Sequence, residues 1–183
     1  GAAALTLLAT AAWAEGDGPG PNLVIDVDGV AKGQIVIDLS PDLAPKAVAQ
    51  IVALAKSGAY DNVVFHRVIE GFMAQTGDVQ YGKMGGDTTM AGMGGSELPN
   101  IPAEFSTAPF DRGIVGMARS SDPDSANSQF FIMFAPGDFL NGQYTVVGKV
   151  ISGMEVVDLI KRGDGANGEV TEPDVMTKVT VQE

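Results

Sequence analysis

Residues 65–78 read FHRVIEGFMAQTGD, and this stretch combines a strand–turn–strand pattern with side chains suited to holding a ligand. Its first half alternates in a way that predicts a β-strand, with Arg67 on one face and His66 on the opposite face. Gly71 then marks a turn, and a second strand is predicted after it. The stretch therefore predicts two successive strands, with the arginine and the histidine on different faces.

The side chains of this stretch form a candidate binding group. Arg67, the apolar Phe72 and Met73, and Gln75 fall within a few positions of one another. A planar cationic donor beside an apolar pocket suits a ligand that carries a carbonyl next to an apolar group. From spacing alone, however, Arg67 is more often a surface arginine that covers the wall of a barrel than a ligand-binding residue.

Further along the chain, residues 113–150 hold a second candidate group. Ser128–Ile132 (SQFFI) is strand-like, and Phe139, Leu140 and Tyr144 add aromatic and apolar bulk on the loop that follows. Taken alone, three aromatic residues near a barrel are more often part of the core than of a ligand pocket.

The rest of the domain reads as short strands with few helices. Helical spacing appears in only two places, over residues 41–58 and over residues 154–160. In the first of these Pro45 lies near the start and Gly58 just past the end. Strands that follow one another with short turns favour an antiparallel barrel or sandwich. The predicted strands are residues 22–28, 33–39, 63–69, 72–78, 114–117, 129–134, 145–151 and 175–181.

The two stretches together closely resemble the cyclophilins, whose pattern reads FHRVIxGFMxQxGD and later SQFFI…LDGxHxVFGKV. The matching residues here are FHRVIEGFMAQTGD and SQFFIMFAPGDFLNGQYTVVGKV, and the resemblance covers residues 22–183. It implies a mainly β fold, a closed eight-stranded antiparallel barrel capped by two α-helices. It also implies peptidyl-prolyl cis–trans isomerase activity on proline-containing polypeptides, without a cofactor or a metal, in a monomer.

The resemblance also assigns roles to individual residues. Arg67 falls on the family's catalytic arginine, which reverses the preference for a surface arginine. Phe139 and Tyr144 stand where the family usually has tryptophan and histidine, and Arg119 stands where it often has asparagine. A phenylalanine at 139 lacks the indole N–H donor, which implies weak binding of cyclosporin. The implied substrate-binding residues are Phe72, Met73, Gln75, Ala118, Arg119, Gln129, Phe131, Phe139, Leu140 and Tyr144.

Two other interpretations stay open at this level. A proline-binding chaperone or docking module would keep the groove without significant turnover, although such a module has no need for the arginine donor. A small-ligand barrel of the lipocalin type is disfavoured because the residues that face the interior look large enough to fill it. Residues 82–95, rich in glycine and methionine, depart from the family pattern and are predicted to form a surface loop. The alternative is a loop that extends substrate contacts beyond the proline pocket.

Composition excludes several kinds of chemistry. The chain of 183 residues has no cysteine, so it has no disulfide, thiol nucleophile or cysteine-based metal site. It has one histidine, His66, which alternation predicts to be structural. The net charge of −12 argues against nucleic acid as a partner, since that partner needs a basic surface.

The N-terminal stretch looks different from the rest. Residues 1–14 are uncharged and apolar, and Ala12-Trp13-Ala14 matches the small-x-small pattern before a signal cleavage site. We therefore expect a secretory signal cleaved after Ala14, a Gly/Pro linker over 15–21, an isomerase domain over 22–183, and a periplasmic or secreted protein with no stable membrane insertion after cleavage. The alternative is an alanine-rich helix packed on the domain.

Overall fold

The computed structural model describes residues 17–183, and the predicted signal segment lies outside the described residues. One curled antiparallel sheet and two helices make up the domain, with a short 3-10 turn at Asp138–Leu140. The strands are β1 (Asn22–Asp28), β2 (Gly33–Leu39), β3 (Val63–Val64), β4 (Arg67–Ile69), β5 (Met73–Thr76), β6 (Ile114–Met117), β7 (Phe130–Met133), β8 (Val146–Ser152) and β9 (Val175–Gln182), and the helices are α1 (Pro45–Lys56) and α2 (Met154–Leu159).

The prediction of a mainly β fold with two helices is confirmed, but the closed eight-stranded barrel is wrong. The sheet has nine strands in the order β3-β9-β1-β2-β8-β6-β7-β5-β4, so strand pairing ends at β3 and at β4 and the sheet forms a half-barrel. Every neighbouring pair in this order is antiparallel.

The extra strand arises because the predicted strand 63–69 is interrupted at Phe65 and His66. The Phe65 amide donates to the Asp174 carbonyl at 2.9 Å, and the Val170 amide donates to the His66 carbonyl at 3.1 Å. These two residues therefore bond to the loop that precedes β9 instead of continuing the strand.

The two predicted helices are present, and α1 begins at Pro45, inside the predicted stretch 41–58. The fixed φ of this proline suits the first turn, and the N–H that proline lacks would have no acceptor within the helix at this position. Gly58, at φ +80°, follows the helix end in the left-handed conformation that glycine adopts readily. Within residues 17–183, neither helix has the length and hydropathy of a membrane span.

Buried side chains form two clusters, and β7 separates them. Phe130 and Ile132 face the main core between the sheet and α1, while Phe131 and Met133 face a smaller cluster. This division follows from the two-residue period of a strand, which sends successive side chains to opposite faces. The smaller cluster consists of Met73, Phe110, Phe131, Met133, Leu140 and Val146, and it forms the floor of the groove described next.

Candidate active site

A groove of about 460 Å³ opens on the face of β4, β5 and β7 that carries the smaller cluster. Gln129 lies just beyond it, in an adjoining cavity that shares Gln75, Ala118 and Arg119 with the groove. Phe139 is the one predicted residue that lines neither cavity. The predicted residues that line the groove are Arg67, Phe72, Met73, Gln75, Ala118, Arg119, Phe131, Leu140 and Tyr144.

Strand register brings the central residues of the groove together. Arg67 on β4 pairs with Gln75 on β5, Gln75 pairs with Phe131 on β7, and Phe131 pairs with Gly116 on β6. Directly opposed residues on paired strands share a face, so these four positions form one row across the sheet. Arg67 and Phe131 are far apart in the sequence, but the sheet places them on strands separated only by β5.

Arg67 is held by two neutral acceptors. Its Nε–H donates to the Asn167 carbonyl at 3.0 Å, and its Nη1–H donates to Gln75 Oε1 at 3.1 Å. Among residues 17–183 no carboxylate forms an ion pair with it. A guanidinium has five N–H donors, so this arrangement orients the group and leaves donors for a ligand in the groove.

The apolar side of the groove is built from aromatic contacts around Phe131. Its ring stacks on Phe110 with centroids 5.8 Å apart, and Tyr144 meets it edge-on at 5.9 Å. Gly116 permits this packing, because a Cβ at that position would lie 2.6 Å from Phe131 Cζ and 2.7 Å from the Phe110 ring. Met73 and Leu140 complete a buried pocket wall.

The rim of the groove is more exposed. Phe139 is 70% exposed and lies on the 3-10 turn, with its ring centroid 5.4 Å from that of Phe72. On the other side, the Arg119 guanidinium lies 4.4 Å from the centre of the Tyr144 ring and donates to the Gln143 carbonyl at 2.6 Å. Arg119 therefore contacts Tyr144 through a cation–π interaction.

Sequence reasoning missed one wall of the groove. Part of the glycine- and methionine-rich loop lies against the groove, as the less favoured alternative for this loop expected, and not as a surface loop apart from the site. Asn167, whose carbonyl orients Arg67, was also missed. No local pattern marks the residues of the two loops, because these loops come close to the groove only in the folded chain. His66 was missed for a different reason, the interruption of its predicted strand. The missed lining residues are His66, Thr89, Ala91, Gly92, Met93, Asn167 and Glu169.

His66 is placed differently from the prediction. It lines the same groove as Arg67 rather than lying on an opposite face, because the strand is interrupted between Phe65 and Arg67. The imidazole is buried, and neither ring nitrogen has a hydrogen-bond partner among the described residues. Burial lowers the pKa of His66 to about 4, although the nearby Asp78 carboxylate opposes this shift.

This pKa predicts a specific pH dependence of stability. Between about 4 and 6.5 the unfolded chain binds the His66 proton and the folded chain does not, so stability falls as the pH drops through this window. Full titration corresponds to roughly 3 kcal/mol in the free energy of unfolding. Urea unfolding at pH 7 and pH 4.5 should show this loss in the wild type and a smaller loss in His66→Phe, which keeps a ring but cannot titrate. Equal losses in both proteins would contradict the placement of His66.

Chemically, the groove offers a fixed cationic donor beside a pocket for an apolar ring. Among residues 17–183 no three His, Asp or Glu side chains are grouped so that they could hold a metal ion. The arrangement suits binding and polarisation of a planar group next to an apolar one.

Comparison with known proteins identifies relatives over most of the chain. Residues 23–181 match the family described as cyclophilin type peptidyl-prolyl cis-trans isomerase/CLD. A protein of Brucella suis biovar 1, named a probable peptidyl-prolyl cis-trans isomerase, is 62% identical over 153 residues, which cover 82% of this chain and 78% of the relative. A Cryptosporidium parvum cyclophilin type isomerase, crystallised in the presence of the dipeptide Ala-Pro, superposes with a TM-score of 0.75 at 28% identity, covering 88% of this chain and 99% of that one. A cyclophilin from Hirschia baltica superposes with a TM-score of 0.72 at 25% identity, covering 87% and 73%.

Proposed function

Because this chain belongs to the cyclophilin-type peptidyl-prolyl cis–trans isomerases and catalyses rotation about Xaa–Pro bonds, we propose that Arg67 is its catalytic residue. One observation carries the proposal: the Arg67 guanidinium is oriented by Asn167 and Gln75 on the wall of the apolar pocket that contains Phe131. No bond is broken in this reaction, so the site needs no nucleophile.

The size of the barrier indicates what one donor can do. Amide resonance opposes rotation with about 18–20 kcal/mol. A barrier of 20 kcal/mol gives about 0.01 turnovers per second, so about 10 per second requires lowering it by roughly 4 kcal/mol. In the twisted state the proline nitrogen regains its lone pair and accepts a hydrogen bond. A fixed donor that binds this state better than either planar isomer lowers the barrier by about 3–4 kcal/mol.

The other groove residues bind and orient the substrate in this proposal. Phe72, Met73, Phe131 and Leu140 hold the proline ring. Gln75 orients Arg67 by accepting its hydrogen bond, and Gln75 Nε2 in turn donates to Gln129 Oε1 at 2.9 Å. Ala118 and the backbone of Arg119 hold the substrate chain beside the ring, while Tyr144 and Phe139 form the rim.

A short Ala-Pro peptide tests catalysis against simple docking. Exchange between its cis and trans isomers can be followed by NMR at substoichiometric protein, together with a proline-limited refolding reaction. An isomerase accelerates both reactions, which otherwise take tens of seconds or longer. Binding to the peptide without faster exchange would instead support the docking alternative.

The rim residue Phe139 affects the expected binding of the inhibitor cyclosporin. Phe139 has no N–H donor, and its ring is packed on Phe72 at the edge of the groove. We therefore expect cyclosporin to bind weakly, and a Phe139→Trp variant to bind it more tightly than the wild type in a titration. The protein acts as a monomer in this proposal.

The cellular role is proposed from the N-terminal sequence pattern. The uncharged apolar stretch that ends in Ala12-Trp13-Ala14 supports export followed by cleavage after Ala14. The enzyme would then assist folding of exported proteins in the periplasm or outside the cell. Intact-mass measurement of the protein recovered outside the cytoplasm would show a chain that starts at Glu15, and an uncleaved chain in the cytoplasm would contradict the proposal.

A further inference from the structure

The glycine- and methionine-rich loop is tied to the candidate catalytic arginine through a buried carboxylate. Asp78 follows β5 and is fully buried. Its Oδ1 accepts the amides of Gln80 and Tyr81 at 3.1 and 2.9 Å, and its Oδ2 accepts those of Gly92 and Gly94 at 2.8 and 3.0 Å. One carboxylate thus joins the start of the loop to its end.

The end of this loop is bonded in turn to the groove. Gln129 Nε2 donates to the carbonyls of Gly92 and Gly94 at 3.0 and 2.8 Å. Gln129 Oε1 accepts from Gln75 Nε2 at 2.9 Å, and Gln75 Oε1 accepts from Arg67 Nη1 at 3.1 Å. These contacts form a continuous hydrogen-bonded path from Asp78 to the guanidinium.

The path has a steric requirement at Gly94. A Cβ there would lie 2.4 Å from Asp78 Oδ1 and 2.8 Å from both Gln80 Cβ and the Tyr81 ring. Any larger side chain must therefore move the loop away from Asp78. Gly86 lies in the same loop, but a Cβ at that position would meet only the Lys83 carbonyl, at 3.4 Å.

We propose that Asp78 is a positioning residue for the isomerase reaction, which holds Arg67 in place through the Gly92–Gly94 turn, Gln129 and Gln75. The inference rests on the proposed catalytic role of Arg67. A carboxylate is needed because it supplies only acceptors to four amide donors. Asp78→Asn would turn one side-chain NH2 group toward two of those donors.

The test compares Asp78→Asn with Asp174→Asn. Asp174 is equally buried and accepts three backbone amides, those of Val30, Ala31 and Lys161, but its carboxylate does not face the groove. We expect both variants to lose stability. At a temperature where both are folded, kcat of Asp78→Asn should fall roughly tenfold, about 1.4 kcal/mol, with KM within twofold. Asp174→Asn should keep the wild-type kcat.

A raised KM with unchanged kcat in Asp78→Asn would overturn the proposal, because it would indicate general damage to the groove. So would an equal loss of kcat in both aspartate variants.

The path itself is tested with a double variant. Gln129→Leu interrupts it, so Asp78→Asn should cause no further loss of kcat when Gln129 is already leucine. Losses that multiply in the double variant would refute the path. If Asp78→Asn does not fold, Gly94→Ala replaces it, with Gly86→Ala as its control. The same fall in kcat is expected for Gly94→Ala only, and equal kcat in the two glycine variants would refute the proposal.

The Arg67→Ala variant separates this inference from the proposed function. Wild-type kcat in Arg67→Ala would refute the catalytic role of Arg67, and the positioning inference would fail with it. Loss of activity in Arg67→Ala, together with wild-type kcat in Asp78→Asn, would refute the positioning inference alone.

Discussion

Replacing Arg67 with alanine should lower kcat/KM for an Xaa-Pro peptide by roughly 10²–10³-fold, the loss typical when a preorganised transition-state donor is removed. The donor is useful mainly in the twisted state, so most of the loss should be in kcat rather than KM. Arg67 is only half-buried and forms no ion pair among the described residues, so the fold should remain intact. NMR measurement of cis–trans exchange in the peptide would check the loss of activity. Circular dichroism of the same protein sample would check that the fold is intact.

Two further variants make this experiment specific. Arg67→Lys keeps the charge, but an ammonium lacks the planar geometry with which the guanidinium donates to Asn167 and Gln75 at the same time. The activity of Arg67→Lys should therefore lie between those of the wild type and Arg67→Ala. Arg112→Ala removes a surface arginine that pairs with Asp158 outside the groove, and its activity should be unchanged. A wild-type rate in Arg67→Ala would refute the assignment.

Replacing Phe131 with alanine should damage both stability and substrate binding. The ring is buried between Phe110 and Tyr144, and truncation of a buried phenylalanine typically costs about 3–5 kcal/mol in the free energy of unfolding. The same ring forms the pocket wall proposed to hold proline. We therefore expect urea denaturation to show the stability loss, and peptide titration of the folded protein to show weaker binding.

Phe130 provides the matched control for this variant. It precedes Phe131 on β7 but faces the main core, where its ring meets Tyr60 edge-on at 5.6 Å. Phe130→Ala should lose a similar amount of stability and bind the peptide normally while folded. Equal losses of peptide affinity in the two variants would contradict direct contact between Phe131 and the peptide, because they would attribute the weaker binding to loss of stability.

Local pattern predicted much of the secondary structure. The first two strands have the predicted bounds, and both helices lie inside the stretches predicted for them. The signals used are all local: alternation, helical spacing, and the positions of Pro45 and Gly58. The error in strand count has a tertiary cause. Phe65 and His66 bond to the loop before β9, and nothing within residues 63–69 marks that interruption.

The placement of His66 shows the same limit. Alternation assumes an unbroken strand, so it assigned His66 and Arg67 to opposite faces. The interruption turns His66 into the groove wall, where burial rather than a hydrogen bond sets its pKa. A prediction from period alone fails wherever the chain leaves the sheet for a residue or two.

The sequence by itself determined the family and the mainly β class, and it identified nine of the residues that line the groove. It could do so because a long specific motif and the two-residue strand period are both carried by neighbouring positions. Only the tertiary structure decided that the sheet is an open half-barrel of nine strands and that the glycine- and methionine-rich loop forms a wall of the groove. It also decided how Arg67 is oriented, through Asn167 and through the path that starts at Asp78. These features depend on hydrogen bonds between residues far apart in the chain, and no periodicity in the sequence records which distant amide a carboxylate or a carbonyl will meet.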